Sequence, residues 1–162
     1  MARPPLWAPW RMAYIESGEE PEGCIFCTLP EHPDPKASLV LAVDAEVVVL
    51  MNRFPYNNGH LMVAPRAHTA DVATLGPEPW AALMDRLRET MGIVREVLAP
   101  DGMNVGLNVG TVGGAGIADH LHWHIVPRWN GDTNFMPVIA ETKVMPQHLE
   151  QSWEQFRPHF AR

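Results

Sequence analysis

Apolar positions along the chain change period from one stretch to the next. Residues 77 to 98 carry Trp80, Leu83, Met84, Leu87, Met91, Val94 and Leu98 at spacings of three and four. Asp85, Arg86, Arg88 and Glu89 fill the opposite face, so this pattern predicts an amphipathic helix whose stripe is core. Pro77 and Pro79 fit only its first turn, and Pro100-Asp101-Gly102 stops it. Elsewhere the runs are short. Leu39–Val43 and Val47–Met51, split by Asp44-Ala45-Glu46, predict a hairpin whose second strand is apolar enough to be central. Leu61–Ala64 and Met103–Val109 predict two more strands, and Leu149–Phe160 a short helix with Trp153 and Phe156 on its apolar side. Hairpins with a single long helix indicate an α+β domain.

One run alternates strictly. In Asp119-His120-Leu121-His122-Trp123-His124-Ile125-Val126-Pro127-Arg128-Trp129, three histidines sit at every second position. A strand sends alternate side chains to opposite faces, so all three imidazoles share one face. On a helix the same spacing would fan them over about 200 degrees. A glycine-rich segment, Gly110 to Gly116, runs in just before, and backbone amides freed by glycine make a phosphate cradle without net charge. For chemistry at phosphorus, a neutral imidazole must offer one bare nitrogen while a fixed acceptor holds the proton on the other.

Composition narrows the field. The 162 residues are 46 % hydrophobic, which suits one compact domain over 1–162, with an arm over 1–23 and an extension over 130–162. No apolar run is long enough to cross a bilayer and no signal-like segment opens the chain, so a cytoplasmic protein without a membrane partner is expected. The formal charge of −7 argues against a nucleic-acid surface, which needs a basic face. Cys24 and Cys27, spaced Cys-x-x-Cys, suit one tetrahedral metal, although two buried free thiols remain an alternative. His32 lies in a Pro/Asp-rich turn and reads as solvated; His68 is the better further ligand.

The alternating histidines, the glycine loop before them and Pro127-Arg128 after them together resemble the histidine-triad (HIT) family. Asn52…Pro55…Gly59-His60, an apolar strand and Pro65-Arg66-Ala67-His68 extend the resemblance, and Trp7-Ala8-Pro9-Trp10-Arg11 with Gly131–Lys143 points to its bacterial branch acting on diadenosine tetraphosphate. The resemblance runs from Trp7 to Lys143. It implies an antiparallel sheet of about five strands with one long helix packed on it, paired as a homodimer. It implies nucleotidyl transfer from a nucleotide or dinucleoside polyphosphate through an intermediate on His122, with His124 and His60 in the catalytic site. Asn52 would hold ribose, and Asn108, Gly114, Ala115, Gly116 and Trp129 would contact nucleotide, with Arg128 also placed to reach ligand from the strand end. A strand-ending cap is the alternative for Asn52, and core packing or a subunit contact for Trp129. The tryptophans of the arm would pack in a core or dimer contact or form a lid. Cys24, Cys27, His68 and His120 would bind a structural Zn2+. Ala115-Gly116-Ile117-Ala118 carries no hydroxyl where related enzymes often have Ser or Thr. Other readings are a purine nucleoside phosphoramidase, a non-catalytic nucleotide-binding module, and a catalytic metal held by the triad itself.

Overall fold

The computed structural model describes residues 23–132 and 147–161. The expectations for Trp7, Trp10 and residues 133–143 lie outside them. In chain order come α1 (Ile25–Thr28), α2 (Pro35–Ser38), β1 (Val40–Val43), β2 (Val47–Met51), β3 (Leu61–Pro65), α3 (Pro77–Leu98), β4 (Gly102–Leu107), β5 (Trp123–Arg128) and α4 (Leu149–Phe160). The strands form one sheet in the order β1-β2-β3-β5-β4, and every neighbouring pair is antiparallel. The α+β architecture is the expected one, and α3 has the bounds that its stripe predicts.

Alternation along each strand sorts the apolar side chains between two faces. Val47, Val49 and Met51 of β2, Leu61 and Val63 of β3, and Trp123 and Ile125 of β5 join Leu83, Ile93 and Val94 of α3 and Phe156 and Phe160 of α4 in the main core. Val48 and Leu50 of β2 with Met62 and Ala64 of β3 face the other way and pack on Phe26. β2 is therefore buried at every position, as expected of a central strand. α3 and α4 cover one face, while the other packs on the short turn α1 and carries the candidate site.

The histidine run is only half a strand. β3 pairs with β5 from Val63↔Trp123 onward and β4 from Leu107↔Trp123, so residues 120 to 122 run free of the ladder. Two causes are visible. β3 ends in Pro65, which has no N–H for a ladder bond, and β4 leaves for the glycine loop after Leu107. Leu121 N–H instead donates to the Thr69 carbonyl, at 2.8 Å. Two short turns, α1 and α2, were not legible as helices, being too brief to show a period. At Leu39 the chain leaves α2 in the left-handed region, with φ 61°.

Candidate active site and metal cluster

The free face of the sheet carries a cavity of about 300 Å³. His122 and His124 line one part of it, with Gly114, Gly116 and Ile117 of the glycine loop; Asn52, Arg53, Phe54 and Tyr56 line another; Ile25, Leu29, Leu39 and Leu50 supply an apolar part.

Fixed backbone groups decide which imidazole nitrogens carry protons. His122 Nδ1 lies 2.8 Å from the His120 carbonyl, which can only accept. His122 therefore holds its proton on Nδ1 and leaves Nε2 bare. Burial pushes its pKa below the ordinary histidine value, although the bond to the His120 carbonyl opposes this, and the net shift favours the neutral ring. A second chain of bonds sets His124. Tyr56 N–H donates to His60 Nδ1 at 3.0 Å, so the proton of His60 is on Nε2. His60 Nε2 donates to His124 Nδ1 at 2.8 Å, and His124 keeps an N–H on Nε2. Tyr56 stacks on His60 with centroids 4.7 Å apart, and the rings of His122 and His124 meet edge to face at 4.9 Å. The pair thus combines a bare nitrogen with a donor.

The glycine loop is partly closed on itself. Gly114 N–H donates to the Thr111 carbonyl and Ala115 N–H to the Gly110 carbonyl, at 3.0 and 3.1 Å. Asn108 Nδ2 donates to the Gly114 carbonyl at 3.3 Å. Among the described residues the amides of Gly116 and Ile117, which line the cavity, donate to no acceptor and can meet an anion there. Gly113 is sterically required, because a Cβ there would collide with the Val109 carbonyl.

Cys24, Cys27, His68 and His120 bring one donor atom each to within 4.8 Å of one another. Cys24 Sγ is 3.2 Å from His120 Nδ1, and Cys27 Sγ is 3.5 Å from His68 Nδ1. His120 Nε2–H donates to the Pro65 carbonyl at 2.8 Å, which turns a bare Nδ1 toward the sulfurs. Burial and the neighbouring Cys24 push the Cys27 thiol up. A cation between the sulfurs reverses that cost, so the donor set fits a metal, with two thiolates and two imidazoles suiting zinc.

The structure brings together most of the residues singled out from sequence. Asn52 lines the cavity, and its Oδ1 also accepts from Phe54 N–H at 2.9 Å, so the cap and the site position coexist. Asn108 and Ala115 support the loop instead of lining the cavity. Trp129 is not among the lining residues, and its N–H donates to Asp132 Oδ2. Arg128 does not reach toward the cavity; Asp132 holds its guanidinium through two contacts of 2.6 and 2.9 Å. Sequence reasoning passed over Arg53, among the described residues the only lysine or arginine lining the cavity, whose Nη2 donates to the Ala37 carbonyl at 2.7 Å. It also missed Tyr56 and Phe26. Position offered a hint for both, four residues before His60 and between the two cysteines.

Comparison with known proteins agrees with this geometry. A family model described as the HIT domain matches residues 35–131. An AP-4-A phosphorylase of Mycobacterium tuberculosis (strain H37Rv) is 36 % identical over 165 residues, covering 97 % of this chain and 84 % of that one. Adenosine 5'-monophosphoramidase hnt1 of Schizosaccharomyces pombe is 29 % identical, covering 82 % of this chain and 94 % of that one. Among solved structures, a zinc-bound histidine triad family protein from Mycobacterium smegmatis superposes with a TM-score of 0.66 at 26 % identity, over 86 % of this chain and 94 % of that one.

Proposed function

We propose that this chain, which belongs to the HIT domain family, is an enzyme that cleaves dinucleoside polyphosphates of the diadenosine tetraphosphate type at the α-phosphate by way of a nucleotidyl-His122 intermediate. The observation that carries the reading is the bare Nε2 of His122 on the cavity wall, with its proton pinned by the His120 carbonyl. Nucleotide enters with its base against Ile25, Leu29 and Leu39 and its ribose at Asn52. The amides of Gly116 and Ile117 and the Nε2–H of His124 hold the α-phosphate oxygens. His122 Nε2 then bonds to phosphorus as the bond to the bridging oxygen of the leaving polyphosphate breaks. Water or orthophosphate attacks next, the N–P bond breaks, and the imidazole is restored. Charge stabilisation by fixed donors carries most of the catalysis, as is usual in phosphoryl and nucleotidyl transfer. His60 takes part by keeping His124 in its donor form. Asn108 and Ala115 keep the loop in shape.

Zinc, held by Cys24, Cys27, His68 and His120, would have four protein ligands and so stabilise structure without offering a water. The chain would act as a homodimer, with the exposed edge strand β4 and its Val105 as the natural contact.

A purine nucleoside phosphoramidase is the second reading, favoured by the phosphoramidase relative. Product analysis separates the possibilities. Diadenosine tetraphosphate should give ATP together with ADP when orthophosphate is the second nucleophile, or ATP together with AMP when water is. Inert diadenosine tetraphosphate with rapid cleavage of an adenosine phosphoramidate would select the second reading. Tight nucleotide binding with no turnover of either substrate would leave only a binding module.

A further inference from the structure

The turn Cys24-Ile25-Phe26-Cys27 faces two sites at once. Its sulfurs meet His68 and His120, while Ile25, with Leu29 just beyond, lines the cavity. Phe26 is fully buried, and its ring lies 4.8 Å from that of His122, inclined at 27°, and 5.1 Å from that of His120. His120 is shared in the same way, since its ring joins the metal cluster and its carbonyl fixes the proton of His122.

We propose that metal occupancy and nucleotide occupancy are coupled through this turn, with Phe26 as a positioning residue for His122. The inference rests on the nucleotidyl-transfer reading above. The physical reason is that α1 has only four residues, far below the length at which a helix holds its own shape. What fixes it is the packing of Phe26 at one side and the cysteine ligands at the other. A metal that ties Cys24 and Cys27 to His68 and His120 therefore sets the cavity wall at Ile25 and Leu29 and the ring against His122. Coupling of two binding equilibria is reciprocal, so bound nucleotide must tighten the metal by the same factor.

The test uses the full chain loaded with cobalt(II), whose visible bands report geometry at two thiolates and two imidazoles, titrated with AMP. The bands should move with the midpoint of AMP binding measured by calorimetry on zinc-loaded protein. AMP should also tighten zinc against a competing chelator by about fivefold or more, the low end of common couplings. In Phe26→Leu, which keeps an apolar side chain and removes the ring, AMP should still bind, both effects should shrink, and kcat should fall more than KM changes. Bands unmoved at AMP saturation, with zinc affinity unchanged, would overturn the coupling and leave the nucleotide reading standing. Metal affinity lowered equally with and without AMP in Phe26→Leu would make the ring merely structural and overturn its role. No calorimetric binding of AMP would overturn both inferences together.

Discussion

His122 is set up by neighbours that the alternating pattern does not contain. The pattern shows that three imidazoles share a face; the tautomer of each depends on the His120 carbonyl, the Pro65 carbonyl and the Tyr56 amide. Backbone groups are the same in every sequence, so their placement becomes legible only once the chain is folded. The same limit hid Arg53, whose position at the cavity depends on reaching Ala37. It also led to the expectation that Arg128 reaches ligand, where Asp132 holds it. Two substitutions test the roles assigned. His122→Ala should lower kcat by at least about 10³-fold, as loss of an activated nucleophile does, with metal content and melting temperature near wild type. His60→Phe keeps an aromatic ring beside Tyr56 and removes the donor to His124 Nδ1. Steady-state kinetics should show kcat/KM lower by roughly 10²-fold, the low end for general acid–base contributions, with the circular dichroism spectrum unchanged.

Helix α3 was legible in its extent because its stripe repeats over 22 residues, long enough for the period to be unambiguous, although Trp80 of the stripe is exposed and Ile93, outside it, is buried in the core. β2 was legible for the opposite reason, an unbroken apolar run that suits only a strand with neighbours on both sides and layers on both faces. The turns α1 and α2 carry no period, so nothing in the residue pattern shows that the two cysteines belong to a helical turn, Cys24 at its N-cap. The start of β5 was misplaced because strand pairing depends on partners. His120 and His122 alternate as in a strand, but Pro65 and the exit of β4 deprive them of a ladder. The expected core function of α3 has a direct check at Leu83, which is fully buried against the sheet. Leu83→Ala should lower unfolding free energy by about 3 kcal/mol in urea denaturation, the usual cost of lost burial plus a cavity. Full retention of stability would mean that the stripe is not packed as described.

At the scale of the whole molecule, an acidic chain handles a polyanionic substrate by local means. With a formal charge of −7, on the proposed mechanism it would offer phosphate the neutral N–H groups of Gly116, Ile117 and His124, with one arginine at the cavity among the described residues. The fold puts α3 and α4 on one face of the sheet, so the other can hold the cavity and the Cys24-Cys27-His68-His120 cluster side by side around α1. Among the described residues no helix is long and apolar enough to cross a membrane. Removing zinc with a chelator should lower the melting temperature by roughly 10 °C, which corresponds to several kcal/mol for a domain of this size. A metal held by the triad for catalysis would instead be lost with activity abolished and melting unchanged.

On the proposed mechanism the α-phosphorus is attacked twice, first by His122 Nε2 and then by water or orthophosphate. Each in-line displacement inverts phosphorus, so two restore it. The most direct measurement is the stereochemical course at an isotopically chiral α-phosphorothioate of diadenosine tetraphosphate, read by phosphorus NMR on the nucleotide released. Net retention of configuration is the expected result; net inversion would mean a single direct displacement, with no nucleotidyl-histidine on the path.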